Sequence, residues 1–115
     1  ALTTDTSFIT AWTNDTDYST IFSRQIEGLG EKGDILIAIS TSGNSLNVIK
    51  AIQAAEEKEM ITIILKGASE SKMSNLGNVR ISVPSKNTQR IQEGHLLAEH
   101  ILCEILEEKF IKNSK

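Results

Sequence analysis

The run Ile35-Leu36-Ile37-Ala38-Ile39-Ser40-Thr41-Ser42-Gly43-Asn44-Ser45 decides how the rest of the chain is read. Its first half is unbroken aliphatic and β-branched sequence, the pattern of a strand buried on both faces in a parallel sheet. It then turns polar at once: Ser40, Thr41, Ser42 and Ser45 place four hydroxyls within six residues, together with Gly43 and Asn44. Val48, Ile49, Ile52 and Ala55 follow at helical spacing. A strand, a small polar turn and a helix form the arrangement with which α/β folds bind anions. The turn offers hydroxyls and free amides, and the helix N-terminus adds partial positive charge. A plainer use of the same residues is that Ser42 or Ser45 caps the helix and Gly43 lets the backbone bend. Four hydroxyls exceed what one cap needs, so a phosphate-binding turn is expected.

Downstream of this unit, residues 60–65 read as a second buried strand and 66–75 as a loop with one helical turn. Residues 79–83 alternate apolar and polar, which predicts a half-exposed third strand, ended by Pro84. The longest helix is expected from Thr88 to about Ile111. Upstream, residues 1–7 have the look of a strand end running into a helix capped by Asp5 or Thr6. A short helical turn follows over 8–12, with Trp12 as a packing residue, then a polar knot over 13–17. Tyr18, Ile21, Phe22, Gln25, Ile26 and Leu29 form an apolar stripe at helical spacing that stops at Gly28-Leu29-Gly30. Strands alternating with helices predict an α/β three-layer sandwich with a parallel sheet. Ligands of such sheets sit outside the carboxyl ends of the strands, where the 40–45 turn falls and where Asn14 and Asp15 are expected. On sequence alone those two also serve as turn and cap residues.

A chain of 115 residues allows one domain with a modest core. Twelve basic residues against 15 acidic leave no electrostatic footprint for nucleic acid or an anionic membrane. Aromatics are too scarce for base-stacking platforms. The lone Cys103 excludes an internal disulfide, fits a reducing cytoplasm and reads as a buried side chain. No apolar run approaches the length of a transmembrane helix. Asn113-Ser114-Lys115 has the composition of a frayed tail.

The last helix holds a second group of chemical interest. It opens with Arg90-Ile91-Gln92-Glu93-Gly94-His95, and Gly94 should weaken it by ~1 kcal/mol relative to Ala. Ile91, Leu97, Ile101, Leu102 and Ile105 are expected to face a core. Gln92, Leu96 and His100 form a row of i, i+4 neighbours on another face. Gln92 and His100 stand roughly 12 Å apart along the axis, a wider spacing than a metal-binding pair one turn apart. Both His95 and His100 also read as ordinary half-buried helix residues.

Ser40-Thr41-Ser42-Gly43-Asn44-Ser45, Phe22-Ser23-Arg24-Gln25, Arg90-Ile91-Gln92-Glu93 and His100-Ile101-Leu102-Cys103 together resemble the sugar isomerase (SIS) domain family, most of all its phosphoheptose isomerase branch. The likeness runs from Ala1 to about Glu108. It implies an SIS (flavodoxin-like) fold, N-terminally incomplete, with 1–112 a partial SIS domain and 113–115 the tail. By the same resemblance Ser40, Thr41, Ser42 and Ser45 hold the sugar phosphate, and Asn14, Asp15 and Gln92 touch the substrate. Gln92 and His100 would be two ligands of a zinc ion, one per subunit, with His100 also the acid/base group. The family's other zinc ligands and a long dimer-forming helix belong to a preceding segment outside these 115 residues, so the chain is expected to be the C-terminal part of a larger, homotetrameric subunit, inactive alone. Lys66 stands where the family has Thr or Ser, a departure expected to leave the phosphate turn untouched.

The activity implied is conversion of sedoheptulose 7-phosphate to D-glycero-D-manno-heptose 7-phosphate, a cytoplasmic step toward heptose for surface polysaccharide. An imidazole suits the proton transfers, a cation beside the oxygens stabilises enediolate charge, and the phosphate turn fixes the far end of the sugar. The alternative is a non-catalytic relative that binds the bacterial replication initiator, which lacks a histidine at the position of His100. A sugar-phosphate-sensing domain of a regulator is a third, weaker reading.

Overall fold

A computed structural model describes residues 1–111; the boundary expected at 112 and the tail 113–115 lie outside the described residues. The sheet has three strands, β1 (Ile35–Ser40), β2 (Ile61–Gly67) and β3 (Val79–Val83), in the order β1-β2-β3. Both pairings are parallel, with Ser40 beside Lys66 and Gly67 beside Val83. The helices are α1 (Thr6–Asp15), α2 (Ile21–Leu29, entered by a short 3₁₀ turn at Tyr18–Thr20), α3 (Leu46–Glu57) and α4 (Thr88–Phe110). The expected strand positions and the long last helix are therefore present. The N-terminus differs: residues 1–5 form turns rather than a strand end, although Asp5 does cap α1 by accepting from the Phe8 amide at 2.9 Å. That helix runs on through the supposed knot, so Asn14 and Asp15 end it. The loop after β2 makes turns at 72–75 but no helix.

Period-two alternation sorts the sheet residues between two layers. Ala38 and Ile64 turn to the face covered by α3, where Ile49, Ile52 and Met73 complete a buried cluster. A second cluster joins α2 to α3 through Ile26, Ala51, Ala54 and Ala55, whose small side chains let the two helices approach. Trp12 packs as expected: it stacks on Phe8, lies under the Arg24 guanidinium and donates Nε1–H to Thr20 Oγ1 at 2.9 Å. On the opposite face α4 covers the carboxyl ends of β2 and β3, with Ile91 against Gly67 and Gly94 against Val83. The layers are helix, sheet, helix.

Two burial expectations fail for one reason. Ile35, Ile37 and Ile39 are 59, 45 and 45 % exposed, so β1 is buried on one face only. Leu97, Ile101 and Ile105 are likewise exposed, Leu102 is half-buried, and Cys103 faces solvent. Helix α4 crosses β2 and β3 near its start, and its 23 residues extend about 34 Å, well past strands of five to seven residues. Among the described residues nothing covers the outer face of β1 or the far half of α4.

Gly94 also differs from expectation. A Cβ there would lie 2.7 and 2.9 Å from the two Val83 methyl carbons, so the absence of a side chain sets how closely α4 seats on β3. The ~1 kcal/mol that alanine gains in helix propensity is outweighed by overpacking of about 1–3 kcal/mol. Gly94→Ala is expected to lower stability by about 1 kcal/mol in urea unfolding, and Val83→Ala in the same chain to restore the gain from alanine; a Gly94→Ala variant more stable than the parent would contradict this packing.

Candidate functional site

Strand β1 ends at Ser40, and the chain must turn into α3 within five residues. Gly43 makes this possible with φ +65°, and its amide donates to both the carbonyl and Oγ of Ser40 at 3.1 Å. A Cβ at Gly43 would fall on Ser71 Oγ, so the loop after β2 props the turn from below. Met73 N–H to the Gly43 carbonyl (3.1 Å) and Lys72 N–H to Asn44 Oδ1 (3.0 Å) tie the two loops together.

Ser45 occupies the N-cap of α3, yet its hydroxyl makes no capping bond; it lies 3.0 Å from Ser40 Oγ. The plain capping use of the serines is thereby set aside. Ser42 Oγ accepts from the Asn44 amide at 3.2 Å and is exposed, as the tip of the turn. Asn47 Oδ1 accepts from the Val48 amide at 2.9 Å, but among the described residues no side chain accepts from the amides of Leu46 or Asn47, so the positive end of α3 keeps donors for an incoming acceptor.

The turn borders an open cleft of about 530 Å³ lined by Ile39, Ser40, Thr41 and Ser45 on one side and by Gln92, His95, Leu96 and Glu99 of α4 on the other. Ser40, Thr41, Ser45 and Gln92, singled out from opposite ends of the sequence, thus meet across one cleft. Ser42, exposed in the same turn, is not among the residues that line the cleft. His100 is exposed and outside the lining. Asn14 and Asp15 are exposed at the end of α1, bonded to each other at 2.8 Å, and do not line the cleft. Two residues on, hydrogen bonds from Ser19 hold the Asp17 carboxyl below its usual range.

Leu96 lines the cleft beside Gln92, as their shared face implied, and His95 and Glu99 are cleft residues the sequence reading missed. Helical phase was the available signal: at 100° per residue, seven steps bring Glu99 within about 20° of Gln92, whereas eight carry His100 about 80° away. His95 is 3 % exposed rather than half-buried, and neither ring nitrogen has a hydrogen-bond partner among the described residues. Among those residues no three His, Cys, Asp or Glu side chains come together to hold a metal. Of the two residues expected as zinc ligands, Gln92 lines the cleft and His100 does not.

Solved structures of phosphoheptose isomerases share this fold. That from Francisella tularensis superposes with a TM-score of 0.90 at 41% identity, covering 94% of this chain and 58% of that one. The Neisseria gonorrhoeae structure gives 0.91 at 45%, covering 94% and 60%. In sequence the chain is 50% identical over 109 residues to the phosphoheptose isomerase of Sulfurimonas denitrificans, covering 95% of this chain and 56% of that protein. It is 52% identical over 109 residues to phosphoheptose isomerase 2 of Campylobacter jejuni, covering 95% and 54%. The chain therefore spans a little over half the length of the curated relatives it matches. The SIS domain family model matches residues 1–67, which contain α1 through β2 and the whole polar turn, and the chain belongs to the SIS domain family.

Proposed function

We propose that this chain is the phosphate-binding part of a phosphoheptose isomerase that interconverts sedoheptulose 7-phosphate and D-glycero-D-manno-heptose 7-phosphate. The observation that carries the reading is the convergence of Ser40, Thr41 and Ser45 with Gln92 on one cleft, in a chain about half identical to proteins of that name. The uncapped start of α3 and the hydroxyls receive the phosphate, which anchors the sugar and leaves its carbonyl end to reach toward α4. Isomerisation removes a proton from the hydroxyl-bearing carbon beside the ketone, passes through an enediol and delivers a proton to the former carbonyl carbon. Gln92, which lines the cleft, would hydrogen-bond the sugar oxygens. His100 is proposed as the acid/base group, and Asn14 and Asp15 as further substrate contacts from the end of α1.

Zinc belongs to this reading as a proposal: Gln92 and His100 would give two ligands and the rest of the subunit the others. The donors among the described residues do not complete such a site by themselves. A homotetramer and a cytoplasmic setting are likewise proposed; no helix among the described residues is long and apolar enough to cross a membrane.

Full-length protein incubated with sedoheptulose 7-phosphate should develop the anomeric proton NMR signals of an aldose phosphate. His100→Ala should slow this about 10²- to 10⁴-fold while retaining phosphate binding, the scale of a lost acid/base group. A folded protein that binds the sugar and never turns it over would instead support the non-catalytic relative. Ser42→Glu sets a carboxylate at the rim of the turn and should weaken sugar-phosphate binding by about a hundredfold in calorimetry; unchanged affinity would refute the phosphate turn. Zinc measured by elemental analysis should fall in Gln92→Ala, and equal content would remove Gln92 from the ligands.

A further inference from the structure

Lys66 is 5 % exposed, and none of the uses above employs it. It stands beside Ser40 in the β1/β2 register, and its side chain shares the face of Ala38 and Ile64, beneath the start of α3. Its Cδ lies 3.5 Å from the position a Gly43 Cβ would take, so the stem packs directly against the polar turn. The expectation that this lysine leaves the turn untouched is therefore overturned. Its Nζ donates to the carbonyls of Gly67 and Ser69, both at 2.9 Å. The ion pairs among the described residues join Arg24 to Glu27, Lys32 to Glu59 and Arg90 to Glu93, and none includes Lys66.

A buried ammonium whose hydrogen bonds go to neutral carbonyls has no ion-pair partner among the described residues, and burying an unpaired charge is in general costly. The cradle beside it has the opposite lack. Its serine and threonine hydroxyls and helix amides are donors without net charge, and the ionisable side chains lining the α4 side of the cleft are His95 and Glu99, with no Lys or Arg among the lining residues. A phosphate dianion in the turn would resolve both.

We infer that the Lys66 ammonium is the fixed positive charge of the anion site formed by residues 40–45, acting through its field on the bound phosphate. This rests on the phosphate turn proposed above and is independent of whether the sugar is isomerised. The carbonyl bonds hold the ammonium in place and brace the 67–71 loop under Gly43. The charge selects doubly charged ligands over neutral ones.

The test uses the full-length protein with inorganic phosphate as probe, followed by calorimetry, beside the melting temperature without ligand. Lys66→Gln keeps a hydrogen-bond donor and removes the charge; Lys66→Met keeps the stem and removes both. Each should weaken phosphate binding about tenfold, the effect of one charge several ångströms away in a partly buried site. Each should leave the ligand-free melting temperature unchanged or higher, because an unbalanced buried charge is gone. Wild-type affinity in both variants overturns the inference. So does a loss confined to Lys66→Met with a lowered melting temperature, the signature of a loop brace. A parent protein that binds phosphate without isomerising the sugar fails the isomerase reading alone and leaves this one standing.

Discussion

The contact on which the rest of the molecule depends is between two hydroxyls, Ser40 Oγ and Ser45 Oγ, 3.0 Å apart across the β1–α3 turn. An N-cap serine ordinarily spends its oxygen on an amide of its own helix. Here the oxygen is turned back toward the strand, and the start of α3 is left with donors unclaimed by side chains. The arrangement requires the left-handed Gly43, whose amide bonds Ser40 twice, and Ser71 directly under it. The anion site proposed for this turn would thus be assembled at the expense of a helix cap, while the 67–74 loop holds the turn through the Met73 and Lys72 amides.

What was legible in the sequence follows from which forces are local. Aliphatic runs ending at Pro84 or at a polar turn located all three strands, and apolar spacing located α2, α3 and α4. Faces were less legible, because burial depends on what lies across from a side chain. Ile35, Ile37 and Ile39 read as core by composition, but α4 seats over β2 and β3 instead. The same limit misjudged Gly94: propensity scores the residue in its helix, whereas Val83 across the interface decides what fits.

The site was legible in part for similar reasons. The turn is contiguous, so its hydroxyls announced themselves together. The partner residues on α4 had to be assigned by phase, and a row spaced at four residues drifts about 40° per step from the direction of its first member. Glu99 therefore borders the cleft and His100 does not. Buried His95 shows the converse limit: among the described residues its two ring nitrogens have no hydrogen-bond partner, and no local pattern in the sequence signals that.

Lys66 brings the energetic argument to its last step. Pairing the ammonium with a carboxylate would make the free protein more comfortable, but the carboxylate would then oppose any phosphate entering the turn. Carbonyl partners solve this conflict, since they solvate the cation without cancelling it. The charge stays available to an anion in the turn, whose own donors are neutral, and an anion bound there would offset the general cost of burying a charge without an ion pair. A residue that looks like an outlier in a hydrophobic strand is on this view consistent with its surroundings only when the anion site is considered with it.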